Sequence, residues 1–140
     1  MPSLKTMQTY AEKCAQRLNL SDMPVLRWLA LPCVTRRREN AHCHTSDEVK
    51  PRGTICIKRG NPRLQTIKRW HYLIAHEVSH LATKCTHSSY TFAKRMETLG
   101  QASFYEVSYL KTRRRHRHVY SQFDFGTGFF YCQFCGKKEE

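Results

Sequence analysis

His76-Glu-Val-Ser-His80 has the residue types and the spacing of a hydrolytic metal site. Histidines four apart share one helical face, about 5–6 Å from each other at Cβ, so both imidazoles reach a single zinc ion at about 2.0–2.1 Å. Glu77 sits beside that face, where a carboxylate takes a proton from a water on the metal and passes it to a leaving amine. Two ordinary helix histidines are the plainer reading. The context favours the metal, because the pattern falls inside a long, apolar-flanked helical stretch, as the chemistry requires. A catalytic zinc needs a third protein ligand and an open position. His87 is the first candidate, since the six residues after His80 give enough chain to leave the helix and return. None of those six is glycine, so the metzincin pattern H-E-x-x-H-x-x-G-x-x-H is not met. Glu97 and Cys85 are the other candidates. Three neutral imidazoles are preferred because a thiolate damps the Lewis acidity of the metal.

A second constellation lies at the carboxy-terminal end. Cys132-Gln-Phe-Cys135-Gly136 is a zinc-knuckle string, in which the glycine permits a close turn around two thiolates. It supplies half a site. His116 and His118 are the nearest upstream residues able to close it as Cys2His2; ligands from elsewhere, such as Cys33 or Cys43, or two unligated thiols, are the alternatives. His42 and His44 form an H-x-H that receives no assignment, because alternate residues on a strand share a face and exposed polar pairs are common there. Positive charge gathers at Arg36-Arg37-Arg38 and at Arg113, Arg114, Arg115 and Arg117. Behind the second run come Tyr120, Phe123, Phe125, Phe129, Phe130 and Tyr131, so phosphate contacts and base stacking could combine. The plainer reading packs those aromatics between the hairpin and the core.

These residues need elements to hold them. From Ser3 to Leu18 the apolar positions recur at three and four, with Ser3 placed to cap and Asn19 near the stop, which predicts an amphipathic helix. Val25 to Leu31 reads as a buried strand closed by Pro32. Ala41–His44 and Gly53–Lys58 alternate as strands and read as a hairpin or meander. Asn61-Pro62 opens a helical stretch running to about Lys84, and a further helix from Ser88 or Ser89 carries Phe92, Met96 and Leu99 inward before Gly100. Ala102 to Leu110 reads equally as helix or strand, and Val119 to Cys132 turns at Asp124-Phe-Gly-Thr-Gly128. The expected fold is α+β, with a core built around the H-E-x-x-H helix over residues 1–110 and a basic segment plus ribbon-like hairpin over 111–140.

The chain is 140 residues long with 24 Lys and Arg against 11 Asp and Glu, a formal charge of +13. That field favours a polyanionic partner, and nucleic acid is the natural class. Mean hydropathy is -0.65 and no apolar run approaches the roughly 20 residues of a bilayer span. The start has no secretory core, and seven scattered cysteines have no framework spacing. A monomeric, unexported protein of the cytoplasm or nucleoid, with reduced thiols and no membrane contact, is therefore expected.

The segment from His76 to Met96 resembles the SprT-like zinc metallopeptidases. The resemblance covers roughly residues 1 to 100, including the element order, and Phe92 matches the aromatic anchor of the helix after the ligand loop. The His-Gly pair common in that family is His87-Ser88 here. The resemblance implies a zincin fold, His76, His80 and His87 as ligands of a catalytic zinc, Glu77 as general base, and protein substrates bound or crosslinked to DNA. It implies a second, structural zinc if the terminal ribbon closes. It also implies that Gly53–Lys58 is an edge strand along which an extended peptide adds; the plainer reading is an ordinary strand of the sheet. Tyr105 and Tyr109 are available as oxyanion partners. Two rivals remain: a non-proteolytic nucleic-acid-binding module with a structural zinc, and an interaction protein whose basic surface grips an acidic partner.

Overall fold

The computed structural model describes residues 1–33, 39–82, 90–111, 118–133 and 136–139. Among them are four α-helices and two small sheets, an α+β arrangement that divides into two compact units, Met1–Leu81 and Ala82–Glu140. No helix among the described residues is long and apolar enough to cross a membrane.

The first unit opens with α1 (Leu4–Arg17), whose Ser3 Oγ accepts from the Thr6 N–H at 3.1 Å. Asn19 takes the left-handed conformation (φ 54), and the Leu20 and Asn19 N–H groups donate back to the Ala15 and Gln16 carbonyls. That is the Schellman closure expected at a helix end. Met7, Ala11, Cys14 and Ala15 form the buried stripe. Gln8 docks this helix on the sheet, donating to the Pro24 carbonyl at 2.7 Å and accepting from the Leu26 N–H at 2.8 Å.

Three strands follow: β1 (Val25–Trp28), β2 (Ala41–Cys43) and β3 (Thr54–Ile57). Their order is β1-β3-β2, with β1 parallel and β2 antiparallel to β3. The expected hairpin is present, but β3 is the central strand, so the edge-strand expectation for Gly53–Lys58 is corrected. Both of its sides are already hydrogen-bonded, and β2 is the edge on the hairpin side. β1 is shorter than expected and alternates exposed with covered positions rather than running buried. Cross-strand partners share a face, so Leu26, Ile55, Ile57, Ala41 and Cys43 line one side of the sheet while Val25, Arg27, His42 and Cys56 line the other.

The helix expected from Asn61 onward is broken. Asn61 caps a single 3-10 turn (Pro62–Leu64), and α2 (Ile67–Ala82) begins afresh after Thr66, whose Oγ1 accepts from the Arg69 N–H at 3.3 Å. Leu73, Ile74, Ala75, Val78 and Leu81 are buried along it. Tyr10 of α1 stacks on His71 at 4.0 Å and meets Trp70 edge-on at 5.6 Å, tying the two helices together. Arg52 braces the far end: its guanidinium pairs with Asp22 at 2.9 Å and donates to the carbonyls of Thr45 and Leu81, the latter in the last turn of α2.

The second unit contains α3 (Tyr90–Thr98), α4 (Phe104–Lys111), β4 (Tyr120–Asp124) and β5 (Phe129–Cys132). Phe92, Met96 and Leu99 are buried as expected, and Gly100 (φ 68) closes α3. The ambiguous stretch is a helix because Ser103 and Glu106 form a reciprocal capping box: the Ser103 N–H donates to the Glu106 carboxylate at 2.7 Å and the Glu106 N–H to Ser103 Oγ at 3.3 Å. β4 and β5 pair antiparallel around the expected turn, where Asp124 accepts the Gly128 N–H at its carbonyl and the Gly126 N–H at its carboxylate. Phe125, Phe129 and Phe130 are exposed on this hairpin, so for these three the packing expectation is corrected. Phe129 and Phe130 are consecutive in β5 and therefore on opposite faces, so both faces of this two-stranded ribbon carry exposed aromatic surface.

Candidate metal centre

α2 delivers the first pair of candidate ligands. The Nε2 atoms of His76 and His80 approach to 3.3 Å, with ring centroids 4.9 Å apart and planes at 77°. Ligands at about 2.0–2.3 Å from a tetrahedral metal are about 3.3–3.8 Å from each other, so the two nitrogens are spaced as neighbouring corners of one coordination shell. Both rings are half-buried. Tyr72, one turn earlier on the same stripe, has its ring 6.0 Å from His76.

Glu77 is 6% exposed, and its carboxyl is pushed up to about 8 by burial and then by the nearby Glu39 carboxylate. It faces β2: burial, with the Glu77 charge second, holds the Cys43 thiol far above its usual range. A buried carboxyl of this kind stays ionised only beside a compensating cation, which a divalent metal on the adjacent imidazoles would supply. The donor set therefore fits the metal chemistry read from the sequence at His76, Glu77 and His80.

Other expected residues fall differently. His87, Cys85, Cys135, His116, Arg36, Arg37, Arg38, Arg113, Arg114, Arg115 and Arg117 lie outside the described residues, as do the side chains of Tyr105 and Tyr109. Glu97 is held by Lys94 at 2.9 Å on an exposed face of α3. Cys132 is buried in β5, and the N–H of Gly136 (φ 73) donates to the Cys132 carbonyl at 2.9 Å. His118 is exposed and stacks on Tyr120.

A group that received no assignment from the sequence assembles on the opposite side of the sheet. Cys33, His42, His44 and Cys56 bring four potential ligand atoms within 4.8 Å of one another. His44 Nε2 lies 3.0 Å from His42 Nε2, 3.4 Å from Cys33 Sγ and 3.6 Å from Cys56 Sγ. Burial lowers the pKa of both histidines, which favours the neutral form that ligates metals, and burial together with the Cys33 thiol pushes Cys56 up. These residues could hold a metal ion. The signal that could have revealed them is the hairpin register: His42 pairs directly with Cys56, which places the H-x-H and that thiol on one face.

Compared with known proteins, the chain matches no family model, no curated protein and no solved structure.

Proposed function

We propose that the protein is a zinc-dependent peptidase of the SprT-like, zincin kind, with His76, His80 and His87 as metal ligands and Glu77 as general base. The observation that carries this reading is the 3.3 Å approach of the two Nε2 atoms with a buried carboxylate on the intervening residue. A bound zinc ion supplies a water of lowered pKa and a Lewis acid for the scissile carbonyl. Glu77, ionised beside that charge, accepts the proton of the attacking water and delivers it to the departing nitrogen. Its buried setting shields the transfer from bulk solvent.

The substrate approaches along β2. Asn40 and His44 make the ladder bonds to β3, so antiparallel alternation turns the backbone groups of Ala41 and Cys43 outward. An extended peptide pairing there runs beside Cys43, the residue whose thiol feels the Glu77 charge. The net charge of +13 suits substrates associated with DNA.

Glu77→Gln tests the mechanism: hydrolysis of an unfolded protein substrate falls by about 10²–10⁴-fold, while zinc content is unchanged. A variant as active as the wild type rejects it. The alternative, a nucleic-acid-binding module without proteolysis, draws on the same charge and on the Cys/His group, and is favoured if the zinc-loaded wild type binds DNA but hydrolyses nothing.

A further inference from the structure

The sheet of the first unit has one face that helices explain and one that they do not. Leu26 and Ile55 are buried on the side where α1 docks. On the other side Val25 is 42% exposed and Arg27 is also exposed, yet Cys56, on the strand between β1 and β2, is completely buried. Its cover is polar: His42 beside it on β2, His44 beyond, and Cys33 from the segment after β1. Two thiols and two imidazoles make a poor apolar seal, and His44 Nε2 is the common neighbour of His42 and both thiols.

The four ligand atoms lie within 4.8 Å of one another, close enough for one small ion to gather them all. The nitrogen–nitrogen contact of 3.0 Å and the sulfur–nitrogen contacts of 3.4 and 3.6 Å lie near the edges of about 3.3–3.8 Å expected around a tetrahedral zinc ion. Mixed thiolate and imidazole ligands in a tetrahedron select zinc among the common divalent metals. Two thiolates also neutralise the dication, which suits a site where Cys33 and Cys56 are buried. Four protein ligands leave no open position, which separates this centre from a hydrolytic one.

We propose that Cys33, His42, His44 and Cys56 hold a structural zinc ion that pins β2 and the segment ending at Cys33 to one face of the sheet. The site is separate from the α2 pair. Residue 43 points to the helix side and residues 42 and 44 to the other, so the metal would fix the strand from the face opposite Cys43. The inference stands whether or not the protein is a peptidase.

Cobalt(II) bound in place of zinc to the full-length chain tests it, because only a thiolate-ligated cobalt gives a near-ultraviolet sulfur-to-metal charge-transfer band. The band is expected to fall in Cys33→Ser and Cys56→Ser, with one zinc equivalent per chain lost from each zinc-loaded variant. It is expected to persist in Cys43→Ser, whose side chain lies on the other face, and in His76→Ala, which removes only an imidazole ligand of the α2 site. His44→Cys retains four ligands and is expected to raise the band by about half, as two thiolates become three. That variant decides the matter if the serine variants do not fold. A band unchanged in Cys33→Ser, Cys56→Ser and His44→Cys overturns the proposal, and so does one that Cys132→Ser alone abolishes.

Discussion

At Glu77 burial and function pull in opposite directions, and the conflict is measurable. Its carboxyl is raised from an ordinary 4.5 to about 8, so in the metal-free protein the folded state holds this proton more tightly than the unfolded state. The resulting stabilisation is complete below about pH 4.5 and is lost as pH rises towards 8. Glu77→Gln stays neutral throughout. The stability of chelator-treated wild type minus that of Glu77→Gln should therefore decline across this window, as read by urea denaturation at several pH values. A difference independent of pH would show that Glu77 is not desolvated. Its helix illustrates what was legible in the sequence. The approach of His76 to His80 could be read directly because helical geometry alone brings i and i+4 together. Cys33, His42, His44 and Cys56 could not, because their meeting depends on which strands pair and in what register, and their spacing has no Cys-x-x-Cys to announce it.

Among the elements, two local devices decide the structure where the apolar pattern was weak. Ser103 and Glu106 satisfy each other's backbone N–H groups, and this capping box was written in the sequence as Ser-Phe-Tyr-Glu. Ser103→Ala should lower stability by about 1 kcal/mol, with a loss of helical circular dichroism confined to the few residues of α4; no change in either would assign the helix to packing alone. Gly53 is the second device. It turns into β3 at φ 95, and a Cβ there would lie 3.2 Å from the Met23 carbonyl oxygen. Its own carbonyl accepts the Val25 N–H at 2.9 Å, the first bond joining β1 to β3. Gly53→Ala should cost about 1–2 kcal/mol from the left-handed backbone alone, measured by thermal or urea unfolding. The sequence showed that Gly53–Lys58 is a strand but not that it is central, since a parallel partner 29 residues upstream (Val25 to Thr54) leaves no local mark.

Taken whole, the molecule carries its charge in both units. Residues 1–81 hold 14 Lys and Arg against 6 Asp and Glu, and residues 82–140 hold 10 against 5, so neither unit alone accounts for the excess. Duplex binding should accordingly weaken with salt along a linear log–log plot, with a slope of about -0.9 per phosphate neutralised. Replacing Arg113, Arg114, Arg115 and Arg117 by Ala should reduce that slope without abolishing binding, because the first unit keeps its surplus of 8. If nucleic acid is the partner, the exposed hairpin aromatics would add a term of another kind. Phe125 is 73% exposed and Phe130 is 45% exposed, and stacking on single-stranded bases contributes about 1–3 kcal/mol per base while depending little on salt. Phe125→Ala with Phe130→Ala should weaken single-stranded binding by at least tenfold, leave the salt slope unchanged and spare duplex binding, all by fluorescence anisotropy. Equal losses on single and double strands would mean that the phenylalanines support the hairpin's shape rather than touch bases. A slope near zero for the wild type would remove nucleic acid as the partner and leave the charge to acidic protein surfaces.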